Sequence, residues 1–320
     1  MAALLIATGQ ELCRCERDGD GGWTTDRVLE DSGAQCVARD PLKPDRVLVG
    51  TRGDGAHLSV DGGVSFERVA IGEDDVFAVA ISQADGRMYV GTEPSRLFRS
   101  DDGHSWEELE ALQQIPSRPQ WSFPPRPWTS HVRWIAPHPK EADRILVGIE
   151  LGGVMLTTDG GRSFSDHREG AVADVHALAW HPSGEVAYEA AGGGAAWSAD
   201  LGETWARLPR GLHHDYVWAL ACDPAEPSQW FVSATDGPRS AHGDGEAGAS
   251  VYRWSGEGPW EEMATAIPAM PYALAVAGGA VWAGLADGRV LRSEDVGESW
   301  QDTGIRAPGL VAFAVGARQA

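Results

Sequence analysis

Ionisable and aromatic side chains recur along this chain in pairs two positions apart: Asp75 and Phe77, His131 and Arg133, Asp174 and His176, Tyr216 and Trp218. Two residues is the period of a β-strand, so both members of a pair project from one face of one strand. Three chemistries suit the set. Carboxylates from Asp75, Glu150, Asp174 and Asp215 could form an acid/base or nucleophile pair for glycoside cleavage, at about 5–5.5 Å for retention or about 6.5–9.5 Å for inversion. His131, His176 and His213 or His214, with Asp174, could hold a divalent metal ion. A histidine with Tyr216 or Tyr272 could serve as acid and base in a lyase or isomerase. Gln35, Phe77, Arg133, His214, Asp215, Trp218 and Tyr272, with Trp121 and Trp128, supply the stacking faces and polar anchors of a substrate pocket. No local motif selects among the three.

What positions these residues is a repeat. Residues 293–300 read Ser-Glu-Asp-Val-Gly-Glu-Ser-Trp, the pattern Ser/Thr-x-Asp-x-Gly-x-Ser/Thr-aromatic. Residues 59–66, 157–164 and 198–205 carry every element, and residues 99–106 lack only the leading hydroxyl in this register. Weaker copies lie at 16–23 and 253–260, where Asp20 replaces the glycine and Ser255 the aspartate. Seven copies with a period near 40 residues mark a propeller or solenoid. Asp before Gly signals a hairpin turn, and the aromatic that follows opens the next strand.

The motif resembles the Asp-box of the bacterial-neuraminidase-repeat family. That resemblance covers the whole chain and implies an all-β, seven-bladed β-propeller of four-stranded antiparallel blades, 1–320 forming one domain. Each box would be a structural turn between the third and fourth strands of its blade. Function does not follow, since the family spans sialidases, xyloglucan-acting hydrolases, sortilin-like receptors and photosystem assembly factors. A sialidase needs an arginine cluster and an Arg-Ile-Pro segment near its start; this chain has neither, so the resemblance does not imply a sialidase. Xyloglucan-acting relatives use two propellers where this sequence offers one. The basic docking patch expected of the assembly factors is not evident.

Ahead of each box lies a four-residue inner-strand signature that ends in alanine, beginning at Gln35, Phe77, Arg133, His176, Trp218, Tyr272 and Val311. The chain begins on a second strand and ends on a lone first strand, 310–315, which is expected to complete the N-terminal blade and close the ring. The intervals between boxes are 40–43 residues apart from two of 58 and 55. These mark insertions at 110–129, with Trp121, Phe123 and Trp128, and at 236–250, with His242 and Asp244. Both map to the face opposite the boxes, where the inner strands start and where loops that grow commonly bind ligands. The site is therefore expected at that mouth of the central channel, on blades four to six.

A net charge of −21 argues against nucleic acid or an anionic membrane as the partner and favours a small-molecule or glycan substrate, with a protein partner as the alternative. Cys13, Cys15, Cys36 and Cys222 show no metal-type spacing and read as reduced sheet residues. The N-terminal apolar stretch has no basic leader, so a cytoplasmic protein is expected. The functional expectation is a hydrolase- or lyase-type enzyme on a sugar-like or polar small substrate, with a divalent metal as a possible aid. The competing expectation is a non-catalytic binding or assembly propeller.

Overall fold

The computed structural model describes residues 3–123 and 129–315; Trp128 lies outside them. Seven antiparallel sheets stand around one axis as the blades of a propeller. Their innermost strands, in order from blade two, are Ala34–Arg39, Val76–Ile81, Val132–Pro137, Val175–Trp180, Tyr216–Cys222 and Pro271–Ala277. The first blade takes its inner strand from the C-terminal end: Ala312–Ala314 pairs with Leu4–Ala7, aligning Leu5 with Ala314 and Ala7 with Ala312. That strand also packs against the inner strands of blades two and seven, so the ring closes as the sequence requires. Blade four departs from the pattern. Its sheet has three strands, and the fourth is reduced to a single bridge between Leu156 and Ser165.

Small residues bring the blades together. Gly50, Gly91, Gly148 and Gly284 occupy one position of the second strands, and each faces the next blade's inner strand. A Cβ there would lie 2.4 Å from Val76, 2.5 Å from Val132, 2.6 Å from Val175 and 2.7 Å from Phe313 respectively. Glycine is the residue that permits this approach. The apolar core then lies between blades, as in the cluster of Leu97, Leu112, Trp121, Val132, Ile149 and Met155 between blades three and four.

The repeated turns are built alike. Ser59 Oγ donates to Asp61 Oδ1 at 2.7 Å and accepts the Gly63 amide at 2.9 Å, while Asp61 accepts both the amide and the hydroxyl of Ser65. The same four bonds recur at Thr157/Asp159, Ser198/Asp200 and Ser293/Asp295. Blade three corrects the sequence register. There the hydroxyl is present, as Ser100, and the accepting carboxylate is Asp102, not Asp101, in a turn one residue shorter. These bonds keep the turn carboxyls ionised: Asp295 is held at about 2 by the Ser299 hydroxyl and amide and by Ser293.

Candidate functional site

Register irregularities on the inner strands create the site. The pairing of each with its second strand slips between Ala34 and Cys36, Val76 and Ala78, Val132 and Trp134, Val175 and Ala177, Val217 and Leu220, and Pro271 and Ala273. The residues left over are Gln35, Phe77, Arg133, His176, Tyr272 and, with Ala219, Trp218. A bulged residue leaves the ladder and its side chain is re-aimed. Here all of these point to the central channel and line its walls.

Above this ring, on the face carrying both insertions, opens a cavity of about 710 Å³. His131, Arg133 and Glu150 come to it from blade four, Asp174 from blade five, Tyr216 and Trp218 from blade six, and Tyr272 from blade seven. His131 Nε2 lies 2.7 Å from Glu150 Oε2, and its Nδ1 lies 3.7 Å from Glu93 Oε2. Arg133 Nε stands 3.5 Å from the same Glu150 oxygen, and its guanidinium lies over the Trp218 ring at 4.6 Å. His176, fully buried, donates Nδ1–H to the Val217 carbonyl at 2.6 Å and leaves Nε2 3.7 Å from Asp174 Oδ1. One oxygen each of Glu150 and Asp174 and one ring nitrogen of His176 all fall within 4.8 Å of one another. Gly192 makes room for the aspartate, because a Cβ on it would lie 1.9 Å from Asp174 Oδ2.

The two carboxyls differ. Burial opposes the Glu150 charge, but the His131 hydrogen bond and Arg133 outweigh it and hold the group at about 2. Burial, then the Glu150 charge, raise Asp174 to about 6. Burial pushes His176 down to about 4, so its ring is neutral near pH 7. Environments that separate the affinities of neighbouring groups are a recurring feature of reactive sites.

Aromatic rings form the remaining wall. Phe77 stacks on His131 at 4.2 Å, and Phe123 from the first insertion meets its edge at 4.9 Å. His176 is held against Trp218 at 4.5 Å and Tyr216 at 4.8 Å. The second insertion contributes His242, at the end of the short helix Pro238–His242. Tyr272 donates its hydroxyl to the Ala241 carbonyl at 2.6 Å and so accepts His242 Nδ1–H at 2.8 Å. His242 Nε2 is then the acceptor for the Tyr216 hydroxyl at 3.0 Å, an assignment that follows from satisfying every donor.

Other sequence candidates lie elsewhere. His214 Nδ1 meets the Tyr252 hydroxyl at 2.9 Å and Nε2 faces Asp236 at 3.4 Å, away from His131 and His176. Asp215 is exposed, and its carbonyl accepts the Gly193 amide. Asp75 bridges Arg52 through the backbone. Trp121 is buried in the core between blades, donating to Ser117 Oγ at 3.1 Å. Conversely, Arg52 and Leu151, unexpected from the sequence, line the cavity, and so do Phe123 and His242, which the sequence marks only as insertion residues; Glu93 stands beside His131. The signal available for His242 was its place as the one histidine of the second insertion.

No protein-family model matches the chain, and no curated protein matches it. Solved structures do. A GH74 enzyme of Niastella koreensis superposes with a TM-score of 0.70 at 14% identity, over 94% of this chain and 53% of that one. A putative 6-phosphogluconolactonase of Bacteroides uniformis gives 0.67 at 14% identity, over 98% of each chain. YCF48 bound to D1 peptide gives 0.57 at 16% identity, over 84% of this chain and 80% of that one. The chain thus spans about half the length of the GH74 enzyme. At these identities the likeness establishes the propeller fold, shared by glycoside hydrolases and by propellers that bind protein partners.

Proposed function

We propose that the cavity is the active site of a hydrolase- or lyase-type enzyme acting on a sugar-like or polar small molecule. One observation carries this reading. Glu150 and Asp174, from neighbouring blades, bring carboxylate oxygens within 4.8 Å of each other beside a wall of Trp218, Tyr216 and Tyr272. Burial and the Glu150 charge set an ionised Asp174 against folding, and groups that oppose stability are a mark of function. The contact between the two carboxylates is through one oxygen of each, within 4.8 Å. It fits a pair that acts on one atom together. Aromatic faces backed by few, fixed polar groups suit a ring-bearing polar ligand. The repeated turns on the opposite face support reading the chain as an Asp-box propeller whose turns serve the fold alone.

A thermal-shift screen of monosaccharides, disaccharides, uronates and hydroxy acids tests the proposal. At least one compound class is expected to raise the melting temperature, and Trp218→Ala and Glu150→Gln are expected to abolish that rise. Asp159→Ala, on the turn face, should lower the baseline through its lost hydrogen bonds, by about 1–2 kcal/mol, and keep the rise. A rise that survives Trp218→Ala, or no rise with any compound, would move the assembly-propeller reading to first place.

A further inference from the structure

We propose that Glu150, Asp174 and His176 bind one divalent transition-metal ion, zinc or manganese, at the boundary between the cavity and the channel. The inference rests on reading the cavity as an active site and names the ion that its paired acids share.

The decisive group is His176. Its ring is buried, clamped by Tyr216 and Trp218, and fixed in one tautomer by the bond from Nδ1–H to the Val217 carbonyl. Nε2 therefore presents a lone pair, is shielded from solvent and makes no hydrogen bond. It faces Asp174 Oδ1 at 3.7 Å. A buried nitrogen left bare costs stability unless something occupies the space in front of it. A donor from the ring's far nitrogen to a backbone carbonyl is also how metal-binding histidines are commonly oriented.

The carboxylates complete the donor set. Glu150 is oriented by His131 at 2.7 Å, with Arg133 on its flank, and Asp174 fits only because residue 192 lacks a side chain. One imidazole and two carboxylates give three protein ligands with positions left open, the arrangement of a catalytic metal site. Ligand atoms about 2.0–2.2 Å from a tetrahedral ion lie roughly 3.4 Å apart, so the trio needs to contract by about an ångström around the cation. That contraction is favoured because the ion cancels the repulsion between the two acids. The nitrogen ligand selects against magnesium and calcium, which prefer oxygen throughout.

The test uses the 320-residue chain purified without an affinity tag and stripped with a chelator. Calorimetric titration with zinc or manganese chloride is expected to show one ion bound per chain, with magnesium and calcium at least a hundredfold weaker. His176→Ala and Asp174→Asn should each weaken binding at least tenfold, while His104→Ala, on the exposed turn face, leaves it unchanged. His176→Gln, with circular dichroism to verify folding, covers the case in which alanine disturbs the ring packing. Visible absorption of the cobalt-loaded protein should show d–d bands that Asp174→Asn removes. Absence of stoichiometric binding, or binding unaltered in folded Asp174→Asn and His176→Gln, would overturn the site. If compounds still stabilise the chelated protein through Trp218 while no ion binds, the cavity reading stands and only the metal falls.

Discussion

A chain stopped after Gly309 is expected to melt roughly 10 °C or more below the 320-residue chain. The deletion removes Ala312–Ala314, the inner strand of the first blade, with the buried Leu310 beside it. It strips the pairing partners from Leu5, Ile6 and Ala7, which have no exposed surface in the closed ring. Leu310 and Phe313 pack with the core shared by blades one and seven, and Val311 with that shared by blades one and two. Burying such side chains stabilises by about 1.5–3 kcal/mol each, so the loss is on the order of 5 kcal/mol before the unpaired edge is counted. That is a large part of the roughly 5–15 kcal/mol that holds a domain together. Differential scanning calorimetry of both chains decides the matter; melting temperatures within a degree or two would refute closure by this strand.

Glu189→Gln is expected to stabilise the protein, and increasingly so as pH rises. Glu189 lies on the second strand of blade five, fully buried, and both its oxygens accept the Val172 amide. Burial raises its carboxyl to about 8, against the pull of the Val172 amide and Arg207. The folded state therefore holds a proton that the unfolded chain releases at about 4.5. Stability from this group is complete below the unfolded value and is lost as pH rises through the folded one. Glutamine keeps the acceptor and removes the titration. The gap between variant and wild type should thus grow by on the order of 2–4 kcal/mol between pH 5 and pH 8.5. Urea titrations at both pH values measure it, and a gap independent of pH would show that Glu189 is ionised in the folded protein.

The fold was legible because its turns demand particular residues. A carboxylate, a hydroxyl and a positive-φ glycine must recur at fixed offsets for each hairpin to close, and Gly63, Gly161, Gly202 and Gly297 have φ of 89, 89, 83 and 95°. Blade three escaped the register because Asp101 and Asp102 are adjacent and only the hydroxyl geometry at Ser100 distinguishes them. The site was legible where strand period applies. His131, Arg133, Asp174, His176, Tyr216 and Trp218 are placed by parity and by the bulges of the inner strands. Parity fails outside a strand, which is why His214, two residues before Tyr216, turns to Tyr252 instead of the cavity. Trp121 reads as a binding aromatic in a proline-rich insertion, yet an indole beside an open inter-blade core is drawn into it. Arg52 and Phe123 arrive on loops and His242 on a short helix inside an insertion, and no strand periodicity describes their paths.

Blades four to seven build the proposed ligand site on the face opposite the repeated turns. A crystal structure of the protein with the most stabilising compound from the screen tests it most directly. The compound is expected between Trp218 and Tyr272, with a polar atom within hydrogen-bond distance of Glu150 or Asp174. Density confined to the turn face, beside Asp61 or Asp102, or to the outer edges of the blades, would contradict it.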